Sequence, residues 1–121
     1  MPRVVHFEIG ADNPERASEF YKSVFGWQIQ KWGGPQAYWL VSTGAKTEPG
    51  IDGAIMEREG KQPLVNTVDV PSVDDFLSKI AAAGGKALTA KIVIPGVGWM
   101  AYCSDTEGNR FGIMQSDPSA K

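Results

Sequence analysis

The sequence has little of the chemistry on which many catalytic and metal sites depend. Its 121 residues include one cysteine, Cys103, and one histidine, His6. A single cysteine excludes an intramolecular disulfide and suits a reducing cytosol, so we expect Cys103 to be a buried strand residue. A single histidine excludes a metal site built from several imidazoles of this chain.

The charge and hydropathy patterns lack the features of several protein classes. The formal net charge is −2, with no basic stripe for nucleic acid and no polybasic segment for a membrane surface. No window approaches the roughly 18 apolar residues of a membrane span, and residues 1–10 lack the apolar run of a signal peptide. Motifs for nucleotide phosphates, a nucleophilic serine or a thiol pair are absent as well. We therefore expect a cytoplasmic protein that binds neither nucleic acid nor membranes.

What is present is the composition of an ordinary globular domain, with 42% hydrophobic and 21% charged residues. Residues 3–9 alternate apolar and polar side chains, which predicts a half-buried strand with His6 and Glu8 on one face. Asn13 is the predicted N-cap of a helix that ends at Gly26. Further strands are predicted over residues 27–32, 37–43 and 51–56, with a turn at 33–35, a loop over 44–50 and a charged linker over 57–62.

The second half repeats this order. A strand over residues 63–70 precedes a helix capped by Ser72 and stopped at Gly84 and Gly85, and strands follow over 86–94, 98–104 and 109–115. An offset of 59 residues pairs Asn13 with Ser72 and Gly53 with Gly112. The predicted fold class is α+β, with two βαβββ modules whose sheets each carry a helix on one face and curl around a cavity on the other. The modules cover about 1–60 and 61–116 of a single domain, 1–121, and the tail from 117 to 121 is predicted to be frayed.

Two segments resemble one protein family. Residues 98–115 read as a hairpin whose turn is Asp105-Thr106-Glu107-Gly108-Asn109. This resembles the closing hairpin of the glyoxalase/bleomycin resistance/dioxygenase proteins, the vicinal oxygen chelate superfamily, with Thr106 in place of a proline. Residues 15–27, with a Phe-Tyr pair and a glycine stop, resemble that family's first helix. The resemblance implies a fold rather than one reaction, since the same scaffold supports many chemistries.

The resemblance also implies a divalent metal held by four side chains, one from the first and one from the last strand of each module. His6 falls on the first of these positions, but the others fall on residues without ligand atoms, namely Gly53, Val65 and Gly112. Because protein metal sites need about three or four ligands, we expect no cofactor. Metal binding by His6 would need additional ligands from carboxylates. The candidates are Glu8, Asp52, Glu57 and Asp69.

His6 and Glu8 are the candidate catalytic residues, because a nearby carboxylate can orient an imidazole for proton transfer. The alternative is that His6 is a polar residue facing a wet cavity. The candidate ligand-binding residues lie on strands that would line a cavity: Tyr38, Trp39, Thr67, Trp99, Tyr102 and Met114. Tyr38 and Trp39 have opposite strand parity, as do Trp99 and Tyr102, so at least one member of each pair should face the cavity. The alternative is that the tryptophans fill the core or a dimer interface.

These observations predict a small-molecule-binding protein similar to the bleomycin resistance branch of the family, without a complete metal site and assembled as a homodimer. Two alternatives stay open. One is a metal-dependent lyase, isomerase or dioxygenase of the same superfamily. The other is a metal-free enzyme that uses His6 and Glu8 as an acid–base pair.

Overall fold

The computed structural model describes residues 2–34, 36–58 and 64–121. The chain divides into two compact units, an N-terminal unit over Val5–Val65 and a C-terminal unit made of Met1–Val4 with Asn66–Lys121. The predicted turn residue Pro35, the end of the predicted linker and the predicted strand start at Pro63 lie outside the described residues. The order of helices and strands agrees with the predicted α+β class.

In the N-terminal unit, a mixed sheet packs against one face of a helix. Its elements are β1 (Val4–Ala11), α1 (Pro14–Phe25), β2 (Gln28–Lys31), β3 (Tyr38–Ser42) and β4 (Asp52–Glu57). The strand order is β2-β3-β4-β1, with β1 parallel to β4 and the other neighbours antiparallel. The helix begins where the Asn13 side chain accepts a hydrogen bond from the Arg16 N–H and ends at Gly26, whose φ of 71° is left-handed.

The α1 side of this sheet, the helix-covered face, forms the core of the unit. Its buried residues are Ala11, Ile29, Val41 and Ile55, with Phe7, Tyr21, Trp27 and Trp39 packed against them. The Tyr21 and Trp27 rings stack with centroids 5.0 Å apart. Full burial of such apolar side chains stabilises the fold by roughly 1.5–3 kcal/mol each. Since neighbouring strand residues point in opposite directions, His6 and Glu8 lie on the other side, here called the second face.

The C-terminal unit has a comparable sheet. Its elements are β5 (Leu64–Asp69), α2 (Val73–Ala82), β6 (Lys86–Ala87), β7 (Ile92–Ile94), β8 (Gly98–Ser104) and β9 (Arg110–Ser116). The order is β5-β9-β8-β6, with β5 parallel to β9, and β7 also pairs with β8. The single strand predicted over 86–94 is wrong. The N–H groups of Leu88 and Thr89 both donate to the Tyr102 carbonyl, which interrupts the ladder as a bulge does and leaves β6 and β7 as separate short strands.

The helix α2 covers one face of the C-terminal sheet. It begins at Ser72, whose hydroxyl accepts from the Asp75 N–H at 3.1 Å. The core beneath it contains Val70, Val73, Ala101, Cys103 and Ile113. Cys103 is 0% exposed, as predicted, and burial raises the pKa of its thiol. Over the described ranges, no helix combines the length and apolarity needed to span a membrane.

The tail after β9 is not frayed, contrary to the prediction. The Asp117 N–H donates to the Val97 carbonyl and the Gly96 N–H donates to the Ala120 carbonyl, both at 2.9 Å. Ala120 is only 4% exposed. These hydrogen bonds with the β7–β8 turn hold the tail in place, and such pairing across about 20 positions is invisible to local sequence patterns.

The two modules differ by one residue in how the last strand is aligned with the first strand. Glu8 is opposite Ala54 in the N-terminal sheet, whereas Thr67 is opposite Gly112 in the C-terminal sheet. The first strands therefore match at an offset of 59 and the last strands at 58. Gly53 is opposite Phe7 on the helix-covered face of the N-terminal sheet. Gly112 lies on the face of the C-terminal sheet that α2 does not cover, which is the second face of that unit. The predicted equivalence of these two glycines is therefore wrong.

This difference predicts that alanine destabilises the protein at Gly53 but not at Gly112. A Cβ at Gly53 would collide with the Phe7 carbonyl and ring, whereas at Gly112 its nearest neighbour is the Thr67 hydroxyl oxygen at 3.3 Å. We expect Gly53→Ala to lower the free energy of unfolding by about 1–3 kcal/mol through overpacking, and Gly112→Ala to be nearly neutral. Urea denaturation of both variants measures this, and equal losses would contradict the register.

Candidate functional site

Three side chains on the second face of the N-terminal unit form a hydrogen-bonded chain. The imidazole Nε2 of His6 lies 2.8 Å from the Tyr38 hydroxyl oxygen. That hydroxyl donates to Oε2 of Glu8, also at 2.8 Å. Glu8 is only 7% exposed, so its carboxylate depends on protein hydrogen bonds rather than on bulk water. The structure thus brings His6 and Glu8 together through Tyr38, a link that the sequence did not predict.

Strand pairing explains how Tyr38 reaches across the sheet to β1. The strand β4 lies between β3 and β1, and its residue Ala54 is opposite Glu8 on one side and Leu40 on the other. Since Ala54 has only a methyl group, the Tyr38 ring has room to cross β4. The ring lies at 11° to the His6 imidazole, with centroids 6.4 Å apart. Trp32 packs edge-on against Tyr38 at 6.0 Å, which supports this orientation.

The electrostatic environment favours a neutral His6. Burial lowers the pKa of His6 below its ordinary value of 6.5, and the carboxylates of Glu8 and Asp52 oppose this shift. Asp52 is the partner of His6 in the β1–β4 register. Because desolvation outweighs the two carboxylates, the ring is mainly neutral at neutral pH. A neutral imidazole can accept a hydrogen bond or a proton from a bound molecule.

A cavity of about 230 Å³ lies beside Asp52 and is lined mainly by the loop between β3 and β4. The loop is anchored to the start of β4 by two hydrogen bonds. The Thr43 N–H donates to Oδ1 of Asp52 at 2.9 Å, and the Thr43 hydroxyl donates to the Ile51 carbonyl at 2.7 Å. Asp52 therefore connects this cavity to the strand position next to His6. Among the residues of the second face discussed above, Asp52 lines the cavity, whereas His6, Glu8 and Tyr38 do not.

The residues at this site do not fit a divalent metal. The Tyr38 hydroxyl is at hydrogen-bond distance from both His6 and Glu8, so each of these groups already has a hydrogen-bond partner. Oδ1 of Asp52 accepts from a backbone N–H. Gly53 and Glu57 pair with Phe7 and Ala11 on the helix-covered face. Among the described residues, no three His, Cys, Asp or Glu side chains are grouped to hold an ion.

In the C-terminal unit, three of the predicted ligand-binding residues share the second face of the sheet. Thr67 and Tyr102 are both opposite Gly112, and Met114 follows Gly112 at the same strand parity. The Arg110 guanidinium lies over the Tyr102 ring at 4.6 Å, a cation–π contact that the sequence interpretation missed. Its signal was available, because Arg110 precedes Gly112 by two residues and so points to the same face.

The two predicted ligand-binding tryptophans lie on helix-covered faces instead. Trp39 is opposite Ile55 and packs against the N-terminal core. Trp99 packs against the C-terminal core, and its Nε1–H donates to Oδ2 of Asp117 at 3.1 Å. Strand alternation then directs Tyr38 and Tyr102 to the second faces of their own units. One aromatic residue of each predicted pair is thus placed away from the core, and it is the tyrosine.

Comparison with known proteins identifies the fold. A family model described as bleomycin resistance protein-like N-terminal matches residues 3–44. No curated protein matches the sequence. Among solved structures, methylmalonyl-CoA epimerase from Mycobacterium tuberculosis aligns with a TM-score of 0.72 at 11% identity, covering 95% of this chain and 88% of that one. A methylmalonyl-CoA epimerase in complex with methylmalonyl-CoA and NH4+ gives 0.71 at 15% identity, covering 100% and 99%.

A hypothetical protein from Bacillus halodurans C-125 is similar to the same degree, with a TM-score of 0.71 at 9% identity over 99% of this chain and 98% of that one. At such identities the likeness shows the fold. The epimerase is a member of the superfamily that the two sequence segments resemble, so the predicted resemblance and the predicted α+β architecture are confirmed.

The lowered pKa of His6 predicts a pH-dependent contribution to stability. A histidine whose folded pKa is depressed binds its proton more readily in the unfolded chain, so stability is fully present above the ordinary value of 6.5 and declines as the pH falls below it. We expect urea denaturation to show this decline for the wild type and a shallower one for His6→Gln, since glutamine does not titrate. Glu8, Tyr38 and Asp52 face His6 in both proteins. Identical pH profiles would contradict the burial of the ring.

Proposed function

Because the chain has the fold of the glyoxalase/bleomycin resistance/dioxygenase superfamily and matches the bleomycin resistance-like pattern over residues 3–44, we propose that it is a small-molecule-binding protein. Its binding site is built on the second face of the N-terminal unit, around the hydrogen-bonded chain of His6, Tyr38 and Glu8. The observation that supports this most directly is that chain, with 2.8 Å at each link.

The surroundings of that chain support recognition of a molecule with both apolar and polar parts. Leu40 is 38% exposed and Met56 is half-buried on the same face, next to Ala54 and opposite Tyr38 respectively. These side chains offer apolar contact, while the neutral imidazole offers a hydrogen-bond acceptor. Pockets with this mixture of apolar walls and a few polar groups are typical of small-molecule sites.

We propose further that binding does not require a metal. Four side-chain ligands would be needed at the family positions. Val65 and Gly112 have no ligand atoms, and neither does Ala54, which the strand register places at the position that corresponds to Gly112. The Tyr38 hydroxyl between His6 and Glu8 supports the same proposal, because those two groups already satisfy each other through it. Recognition then depends on hydrogen bonding and apolar contact alone.

A second candidate function is a metal-free acid–base enzyme. It is favoured by the same hydrogen-bonded chain, since an imidazole held by a buried carboxylate through a hydroxyl is a suitable acceptor of a proton from a carbon next to a carbonyl. The similar epimerase is in complex with methylmalonyl-CoA, which makes that compound a rational first substrate to assay. Turnover lost in His6→Ala with binding retained would favour the enzyme over the binding protein.

We expect tryptophan fluorescence to report ligand binding, because Trp32 contacts Tyr38. Titrations with bleomycin and with methylmalonyl-CoA should give a saturable change for at least one of them. His6→Ala should weaken that binding about tenfold, which corresponds to the roughly 1.4 kcal/mol of one hydrogen bond in a buried site. Dialysis against a chelator should leave the affinity unchanged.

The control variant is Tyr21→Phe, which removes a hydroxyl on the helix-covered side of the same unit and should bind like the wild type. Equal affinities of wild type and His6→Ala would place the site elsewhere. Elemental analysis after incubation with Zn, Ni, Fe(II) and Mn completes the test. Stoichiometric metal that disappears in His6→Ala would contradict the metal-free proposal, and no saturable response to either compound would contradict these ligand classes.

We also propose that the protein is a homodimer. The helix α1 exposes three large apolar side chains, with Phe20 at 58%, Val24 at 55% and Phe25 at 60%. Exposed apolar surface of this kind favours burial against a second copy. Sedimentation at micromolar concentration should give about twice the chain mass of 13.1 kDa, and Phe20→Glu should reduce it. A mass near 13.1 kDa for the wild type would contradict the dimer.

A further inference from the structure

We infer that Tyr38 holds the neutral His6 ring as the Nε2–H tautomer, so that Nδ1 is the atom that accepts a hydrogen bond from the molecule bound at this site. The part that concerns the bound molecule rests on the proposed function. The part that concerns the tautomer is a property of the protein alone. Tyr38 thereby acts as a positioning residue for His6, in addition to any contact of its own with a ligand.

The tautomer follows from the protons available to the chain. A tyrosine hydroxyl carries one hydrogen and donates one hydrogen bond. Tyr38 donates that hydrogen to Oε2 of Glu8. Its oxygen can then only accept from His6, whose Nε2 lies 2.8 Å away. A neutral imidazole that donates through Nε2 has no hydrogen on Nδ1.

In the competing arrangement, the hydrogen bonds of the chain run in the opposite direction, from Glu8 through Tyr38 to His6. This arrangement needs a hydrogen on the Glu8 carboxyl, which would donate to Tyr38, and Tyr38 would then donate to Nε2 of His6. In that case the ring hydrogen lies on Nδ1 and the bound molecule meets a donor instead of an acceptor. The two arrangements therefore select ligands of opposite hydrogen-bonding character, although they have the same heavy-atom positions.

The accessibility of Nδ1 supports its assignment as the acceptor. Within the part of the chain that the structure describes, His6 hydrogen-bonds to Tyr38 and to no other protein group. His6 is half-buried, and among the described residues its Nδ1 is not one of the fully buried side-chain atoms that lack a partner, so this atom retains some exposure. The fitting ligand class has an N–H, an O–H or an acidic C–H next to a carbonyl, together with an apolar portion that contacts Leu40 and Met56.

The single histidine of the chain makes the tautomer directly measurable. A long-range proton–nitrogen correlation spectrum of the tag-free protein contains one imidazole. Recorded without ligand, at a pH where His6 is neutral, it should show a protonated Nε2 and an unprotonated Nδ1. Tyr38→Phe removes the acceptor of the Nε2 hydrogen, so both nitrogens should move toward values for mixed tautomers.

The matched control is Tyr21→Phe, which removes a hydroxyl from the helix-covered side and should leave both His6 nitrogen shifts unchanged. A wild-type spectrum with the hydrogen on Nδ1 overturns the inference, even where Tyr38→Phe does not fold. An unchanged tautomer in a folded Tyr38→Phe also overturns it, because Tyr38 would then not set the ring state.

A second spectrum is recorded with ligand, using bleomycin or methylmalonyl-CoA, whichever gives a saturable change in tryptophan fluorescence. Addition of that compound should shift the Nδ1 nitrogen more than the Nε2 nitrogen, and the opposite ranking would overturn the assignment of Nδ1 as the acceptor. Failure of both compounds to bind counts against the proposed function alone. The ligand-free spectrum still decides the tautomer, so the two failures are distinguishable.

Discussion

The parallel pairing of β1 with β4 is the constraint on which the N-terminal unit depends. It places Phe7 opposite Gly53 on the side of α1, where the missing side chain of Gly53 lets the Phe7 ring and carbonyl approach the neighbouring strand. Phe7 in turn contacts Trp27 of the aromatic core. Because strand residues alternate, this same register directs His6, Glu8 and Asp52 to the second face. A slip of one residue would exchange the two faces.

Once these groups share a face, the site is governed by competition between desolvation and charge. Burial favours the neutral imidazole and two carboxylates favour the charged one. Burial is the larger effect and holds the pKa of His6 below its usual value. The Tyr38 hydroxyl relays a hydrogen bond from the ring to Glu8 and so satisfies a carboxylate that is only 7% exposed. A buried polar group without such a partner would cost about 1–3 kcal/mol.

The C-terminal unit shows that the same topology carries different chemistry. Its second face has Thr67 where the N-terminal unit has Glu8, and Gly112 where that unit has Ala54. An arginine over a tyrosine ring replaces the imidazole–tyrosine–carboxylate chain. The epimerase-like fold is therefore a scaffold in which each sheet face is specified by a few side chains, so fold similarity at 11% identity carries little information about a ligand.

Most of the fold could be predicted because its signals are local. The caps at Asn13 and Ser72, the stop at Gly26, the strand alternation around His6 and the family-like turn at residues 105–109 each act within a few positions. The errors have non-local causes. The bulge opposite Tyr102 and the hydrogen-bonded tail depend on pairing between distant residues. The one-residue shift between modules likewise depends on how strands far apart in the sequence are aligned.

The sequence by itself determined that His6 and Glu8 share a strand face, because a period of two is a property of any extended chain. It also predicted that three family positions lack ligand atoms, although the strand register replaces Gly53 with Ala54 as one of them. Tertiary structure alone decided that Tyr38, 32 residues from His6, completes the site, since only strand pairing brings β3 within reach of β1. It likewise decided that the tyrosines rather than Trp39 and Trp99 occupy the second faces, because the cores beneath α1 and α2 take the larger apolar rings.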